Sequence, residues 1–323
     1  MGEESACSLP RIALASTDNP YANTLASYLL EMRGDDFAEI RCLCRDISLC
    51  KNLENKGANL RKIDYSEERT LNEALSGIEI LVYVPEIESS LTNVSKLVMR
   101  VLQRENIGAV LLSVVGADQP VGRLKQFHEI EVLFEQLQWL TIMRVPFVFQ
   151  LLWLWAPAIR AENCIRMTMG NDRAFAPVDL RDVARALRVI LLKMVEDESR
   201  MTCSQYVKKP RYQLQGPEPL SISQIALQLS TILHKQITYT QVTREELGRN
   251  LRKLRDGRKS PAKGCFHGHP TDEEVEMLLD TLDLIEEGRA NFLSEDLTEL
   301  VGEEVQRMQS WLYKHVADFS VDS

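Results

Sequence analysis

The chain has 323 residues, enough for one large α/β unit or two modest domains, and 45% hydrophobic with 26% charged residues is the balance of a globular protein in water. The formal net charge of -9 argues against nucleic acid as the main ligand. No apolar run reaches membrane-spanning length, because Arg144 and two prolines interrupt "TIMRVPFVFQLLWLWAPAI", and the acidic start "MGEESACSLP" lacks the apolar core of a secretory signal.

In chain order, "RIALAS" reads as the first strand and residues 21–33 as a helix. "AEIRCLC" and "ANLRKID" read as the second and third strands, and a helical "LNEALSG" leads to the fourth, "IEILVYVP". A helix over about 88–105 precedes the fifth strand, "GAVLLSVVG"; helical "FHEIEVLFEQL" precedes the sixth, "LTIMRVP". Strands alternating with helices imply parallel βαβ units with right-handed crossovers. The near-continuous apolar fourth and fifth strands suit a sheet covered on both faces.

The second half is less regular. "VDLRDVARALRVILLKMV" is an amphipathic helix with acids in its first turn. "YQLQGPEPLSISQIALQLSTILHK" reads strand, turn, helix, with Ser221 and Gln224 spaced as a capping box. "ITYTQVTREEL" leads from a strand into a helix. A basic stretch follows, with Arg249, Arg252, Lys253, Arg255, Arg258 and Lys259, and the region from Asp272 to Glu304 is rich in acids. The basic stretch reads either as a solvated helix and loop or as a docking patch for an acidic segment or nucleic acid. "CFHGHP" places Cys265, His267 and His269 at alternate positions, but no fourth zinc ligand is evident and a loop is the simpler reading; no metal site is assigned.

The seven cysteines are odd in number and scattered, which fits a reducing cytosolic or nuclear compartment rather than a disulfide framework. Cys42 and Cys44 share a strand face near Cys50 and read as buried structural thiols.

These pieces together resemble the NmrA-like group of atypical short-chain dehydrogenases/reductases. "IRCLCRD" is similar to that family's second strand, and "GANLRKIDYSEERTLNEALSGIEILVYV" to its stretch from the third strand to the fourth. "LLSVVGAD", "LTIMRVPFVF", "FAPVDLRDVARAL", "YQLQGPEPLSISQIALQLSTIL" and "FLSEDLTELVGEEVQRMQSWL" match later blocks in order. The resemblance implies a Rossmann-type doubly wound parallel sheet over residues 9–160 and a smaller C-terminal α/β lobe over 161–323, with about 176–216 returning to the sheet. It also implies a cleft between them for a dinucleotide or small molecule.

Aligned with the family's Gly-x-x-Gly-x-x-Gly turn, the glycine positions fall at Ser16, Asn19 and Ala22. A pyrophosphate binds at a helix N-terminus through free amides and the helix dipole. Asp18 places a carboxylate there, Pro20 removes a donor, and Asn19 followed by Pro20 forms a self-sufficient helix start. Arg45 after the second strand favours a 2′-phosphate, hence NADP, if a nicotinamide cofactor binds; its other reading is a surface Arg paired with an acid. By resemblance, Asp64 and Tyr65 lie near the adenine, and Tyr83 and Pro85 near the nicotinamide. No Tyr-x-x-x-Lys occurs, so an acid for reduction would have to be improvised from Lys125 or His128. Trp153 and Trp155 read as core or cleft wall. The expectation is a non-catalytic, partner-binding regulator that senses NADP(H) weakly or not at all; the alternative is an NADP-dependent reductase. A protein partner is expected, with neither nucleic acid nor a membrane.

Overall fold

The computed structural model describes residues 9–119, 121–199, 211–256, 270–290, 294–302 and 304–320. Cys265, His267, His269, Arg258 and Lys259 lie outside them. In chain order the first half comprises β1 (Arg11–Leu14), α1 (Pro20–Glu31), β2 (Glu39–Cys44), α2 (Lys51–Glu54), β3 (Asn59–Lys62), α3 (Glu68–Leu75), β4 (Ile80–Tyr83), α4 (Leu91–Glu105), β5 (Gly108–Val114), α5 (Leu124–Phe134) and β6 (Leu140–Val145). After α6 (Ala156–Glu162) come β7 (Cys164–Met167), β8 (Ala174–Phe175), α7 (Leu180–Ser199) and β9 (Arg211–Gln213).

These form a seven-stranded parallel sheet in the order β3-β2-β1-β4-β5-β6-β9, the doubly wound arrangement expected. The order reverses between β1 and β4, where such sheets open a crevice at the carboxyl ends of the strands. Alternation along each strand divides the core. Ile12 and Leu14 pack beneath α1 and α7, while Ala13, Leu81, Tyr83 and Leu111 pack beneath α3, α4 and α5. The apolar strands that blur helix and strand by periodicity are therefore buried on both faces, as parallel strands are. β9 brings the chain back to the sheet edge beside β6.

The remaining elements are β10 (Leu220–Ser221), α8 (Ile222–Leu233), β11 (Thr238–Gln241), α9 (Arg244–Asp256), α10 (Asp272–Glu286), α11 (Asp296–Val301), α12 (Met308–Lys314) and α13 (Val316–Phe319). The capping box read at Ser221 and Gln224 is present, with both reciprocal hydrogen bonds. β11 pairs parallel with β7, and β10 antiparallel with β8. Trp153 and Trp155 belong to the core: Trp153 packs 5.6 Å from Trp311, and the Trp155 indole donates to the Arg166 carbonyl at 2.5 Å. Cys42, Cys44 and Cys50 are buried free thiols. Among the described residues no helix is long and apolar enough to cross a membrane.

One buried ion pair ties α5 to the sheet. Glu131 is wholly buried and accepts from the Arg144 Nε at 2.9 Å, the Arg144 Nη2 at 2.7 Å and the Ser113 hydroxyl at 2.6 Å. Removing Glu131 leaves the buried Arg144 with only the half-exposed Asp118, 3.0 Å away, as a carboxylate partner. Glu131→Ala is expected to lower the unfolding free energy by about 3–5 kcal/mol, read as a fall in the urea midpoint. A change below about 0.5 kcal/mol would show the pair to be energetically neutral.

Candidate functional site

The turn between β1 and α1 lies where a dinucleotide's pyrophosphate would sit. Ser16 is buried and adopts φ 61°, the left-handed region that favours glycine. This costs a Cβ-bearing residue about 1–2 kcal/mol, so the turn is tight although no glycine stands in it. The Ser16 and Tyr65 hydroxyls share a 3.5 Å contact. Thr17 hydrogen-bonds Leu43 through its amide at 2.9 Å and its hydroxyl at 3.0 Å, fastening the turn to β2. Asn19 caps α1 by accepting from the Tyr21 amide at 2.9 Å, and Pro20 occupies the first helical position. Ala22 is buried between α1 and the sheet, where little space remains for a side chain.

Asp18 faces the end of β2. Its Oδ2 accepts from the amides of Arg45 at 3.0 Å and Asp46 at 3.1 Å. The Arg45 guanidinium is held by Glu86, by Glu88 at 3.3 Å and by Asp18 at 4.0 Å. Burial works against the Arg45 charge, but these acids more than offset it and raise its pKa. Glu86 is 12% exposed, and burial pushes its carboxyl up to about 7 against the pull of Arg45. One oxygen each of Asp18 and Glu86 is buried without a hydrogen bond. Arg45 is thus paired, with three carboxylates around it, while its side chain stays 44% exposed. Glu86 and Glu88 were missed in the sequence, although they stand just after Pro85 at the end of β4.

The other candidate residues are spread out. Asp64 is exposed and accepts from the Ser66 amide and hydroxyl at 2.8 and 2.7 Å, closing a local turn. Tyr65 directs its hydroxyl toward Ser16. Tyr83 is buried, stacks 5.3 Å from Phe134 and shares a 3.0 Å hydrogen bond with Ser95. Burial pushes its phenol up, with Ser95 pulling against that. Pro85 is buried beside it. Lys125 and His128 are exposed on α5 while Leu124, Phe127 and Ile130 of that helix turn inward. Among the described residues no three His, Cys, Asp or Glu side chains converge as for a metal.

α10 crosses the carboxyl edge of the sheet. The Asn19 side-chain amide donates to Glu274 at 3.1 Å, and the Arg123 amide donates to Asp280 at 2.8 Å. Arg244 of α9 pairs with Glu276 at 2.9 Å, with Asp280 at 2.8 Å and with Asp283. Arg252 pairs with Asp272 at 2.9 Å and Glu276 at 2.5 Å. Of the basic stretch, Arg252 is paired within the chain, while Arg249 and Lys253 are exposed.

No family model matches the chain. An NAD(P)H azoreductase from Xenophilus azovorans is 25% identical over 228 residues, 69% of this chain and 75% of that one. The NADPH-dependent quinone oxidoreductase of Escherichia coli, solved with NADPH, superposes with a TM-score of 0.75 at 19% identity, covering 95% of this chain and 99% of that one. NmrA, a negative transcriptional regulator solved with NAD, superposes with a TM-score of 0.66 at 12% identity, covering 96% and 97%. At such identities the superpositions speak for fold alone: the chain has a Rossmann-type architecture, as those proteins do.

Proposed function

We propose that this protein is a non-catalytic regulator on a reductase fold, working through a protein partner in the cytosol or nucleus and binding NADP(H) weakly or not at all. The observation that carries this reading is the acid cluster around Arg45. Where the fold offers amides and a cation to a pyrophosphate and a 2′-phosphate, this chain places Asp18, Glu86 and Glu88. A dinucleotide phosphate entering there meets two largely buried carboxylates, Asp18 and Glu86, beside the more exposed Glu88, and is repelled by like charge. The residues present do not fit the cofactor, so no hydride step is derived. A second reading, an NADP-dependent reductase, is favoured by the 25% identity to the azoreductase. It requires Lys125 or His128, both exposed, to supply the proton.

Calorimetric titration with NADPH, NADP, NADH and NAD is expected to give dissociation constants of about 0.1 mM or weaker. No NADPH oxidation is expected with quinones, aldehydes, enones or azo dyes. Turnover that vanishes in Lys125→Ala or His128→Ala would establish the reductase instead.

The cluster also sets a pH dependence. The Glu86 carboxyl rises from 4.5 to about 7 on folding, so the folded chain binds an extra proton between those values. Its stabilising contribution is complete below about pH 4.5 and is lost as pH rises through about 7. Glu86→Gln mimics the protonated group, so its stability relative to wild type should climb between pH 4.5 and 8, by on the order of 1–3 kcal/mol. A constant difference across that range, read by denaturation, would mean that Glu86 ionises normally.

A further inference from the structure

β11 is paired on one side only. It runs parallel with β7, Thr238 opposite Cys164 and Gln241 opposite Met167. The Thr238 amide donates to the Asn163 carbonyl at 2.9 Å, and the Val242 amide to the Met167 carbonyl at 2.9 Å. Main-chain groups alternate sides along a strand, so Thr238, Thr240 and Val242 address β7, while Ile237, Tyr239 and Gln241 address the opposite side. At Ile237 that side is closed, because its amide donates to the Ser230 hydroxyl of α8 at 2.8 Å. At Tyr239 and Gln241, among the described residues, no hydrogen bond reaches the outward amide or carbonyl.

The strand is held in place from its other side. The Tyr239 hydroxyl donates to the Met167 carbonyl at 3.2 Å, and the Gln241 side chain to the Thr168 carbonyl at 2.9 Å. The outward edge is therefore fixed in an extended form before any partner arrives. A groove of about 800 Å³ adjoins it, between the start of β11 and α8. Leu227 of α8 stands in that groove, 67% exposed, the most exposed large apolar side chain of the described residues. Lys235 is the one formally charged residue that lines it at neutral pH. No carboxylate lines it, in a chain whose net charge is -9.

We propose that the open edge of β11 takes an extended, acidic segment of a protein partner, added as a further strand. The inference rests on the reading of the chain as one that works through a protein partner, and it names the surface and the chemistry of that partner. Free amides and carbonyls on a strand edge select extended main chain, whereas a helix has already used its own. Leu227 selects an apolar side chain on the added segment. Lys235, with no carboxylate beside it in the groove, selects an Asp or Glu. A single cation is too few for a nucleic-acid backbone, which needs several.

The probe is a displayed library of random peptides of about twelve residues, selected against the full wild-type chain; the tightest binders are synthesised and titrated. Three variants are compared. Gln241→Pro removes an outward amide and leaves the ladder to β7 intact. Leu227→Asp and Lys235→Glu alter the groove at a side chain. Circular dichroism checks folding, and Leu227→Asp, exposed on α8, carries the test alone if Gln241→Pro does not fold. The expected result is acidic peptides that bind in extended form with dissociation constants on the order of 10 µM. Gln241→Pro and Leu227→Asp should each weaken them about tenfold or more, and Lys235→Glu should turn the selection toward basic peptides. No peptide tighter than about 1 mM, peptides that bind as helices, or binding that no variant moves would each overturn the inference. A wild-type dimer that Gln241→Pro dissociates would overturn it too, by giving the edge to a second copy. Turnover of NADPH is read in a separate assay and bears on the non-catalytic reading, so the two failures are told apart.

Discussion

The hydrogen bonds from the amides of Arg45 and Asp46 to the Asp18 carboxylate organise everything around the opening turn. They join the loop after β1 to the loop after β2, which a bound dinucleotide would otherwise span. Once those amides are satisfied internally, Arg45 is placed with its guanidinium between Glu86 and Glu88 at the end of β4. Ser16 then carries its left-handed backbone within a framework fixed on both sides, with Thr17 bonded to Leu43. An isolated strained residue of this kind would relax; here the surrounding hydrogen bonds over-determine it.

The fold was legible because its signals are local and repeated. Each of the six strands read from the first half of the sequence appears in the parallel sheet, and the capping box at Ser221 and Gln224 forms as spaced. The opening turn was legible for the same reason, since Asn19 and Pro20 announce a helix start and Asp18 announces a charge. What escaped were contacts made across long separations. Nothing near Asn19 points to Glu274, 255 positions away, and nothing in the basic stretch says that Arg252 pairs with Asp272 and Glu276. Charge composition gave both partners, but periodicity does not say which helix faces which. Tyr83 illustrates the complementary gap: its place at a strand end is readable, but whether it faces the crevice or Phe134 depends on the tertiary packing of α5.

The same acids bear on how the two halves are held together. In a crevice at a strand-order reversal, a ligand commonly bridges the sheet and whatever covers it. Here the bridge is made by the chain, through Asn19 to Glu274 and through the Arg123 amide to Asp280. These are charge-assisted hydrogen bonds between partly buried groups, each stronger than an exposed ion pair. Five cationic contacts from Arg244 and Arg252 then neutralise the stripe of acids that such a helix would otherwise carry over an already acidic crevice. The helix and the cluster at Arg45 are therefore parts of one electrostatic arrangement. Carboxylates crowd the turn, and the chain's own arginines keep the covering helix from being repelled by them. The closed arrangement is held by contacts within the chain.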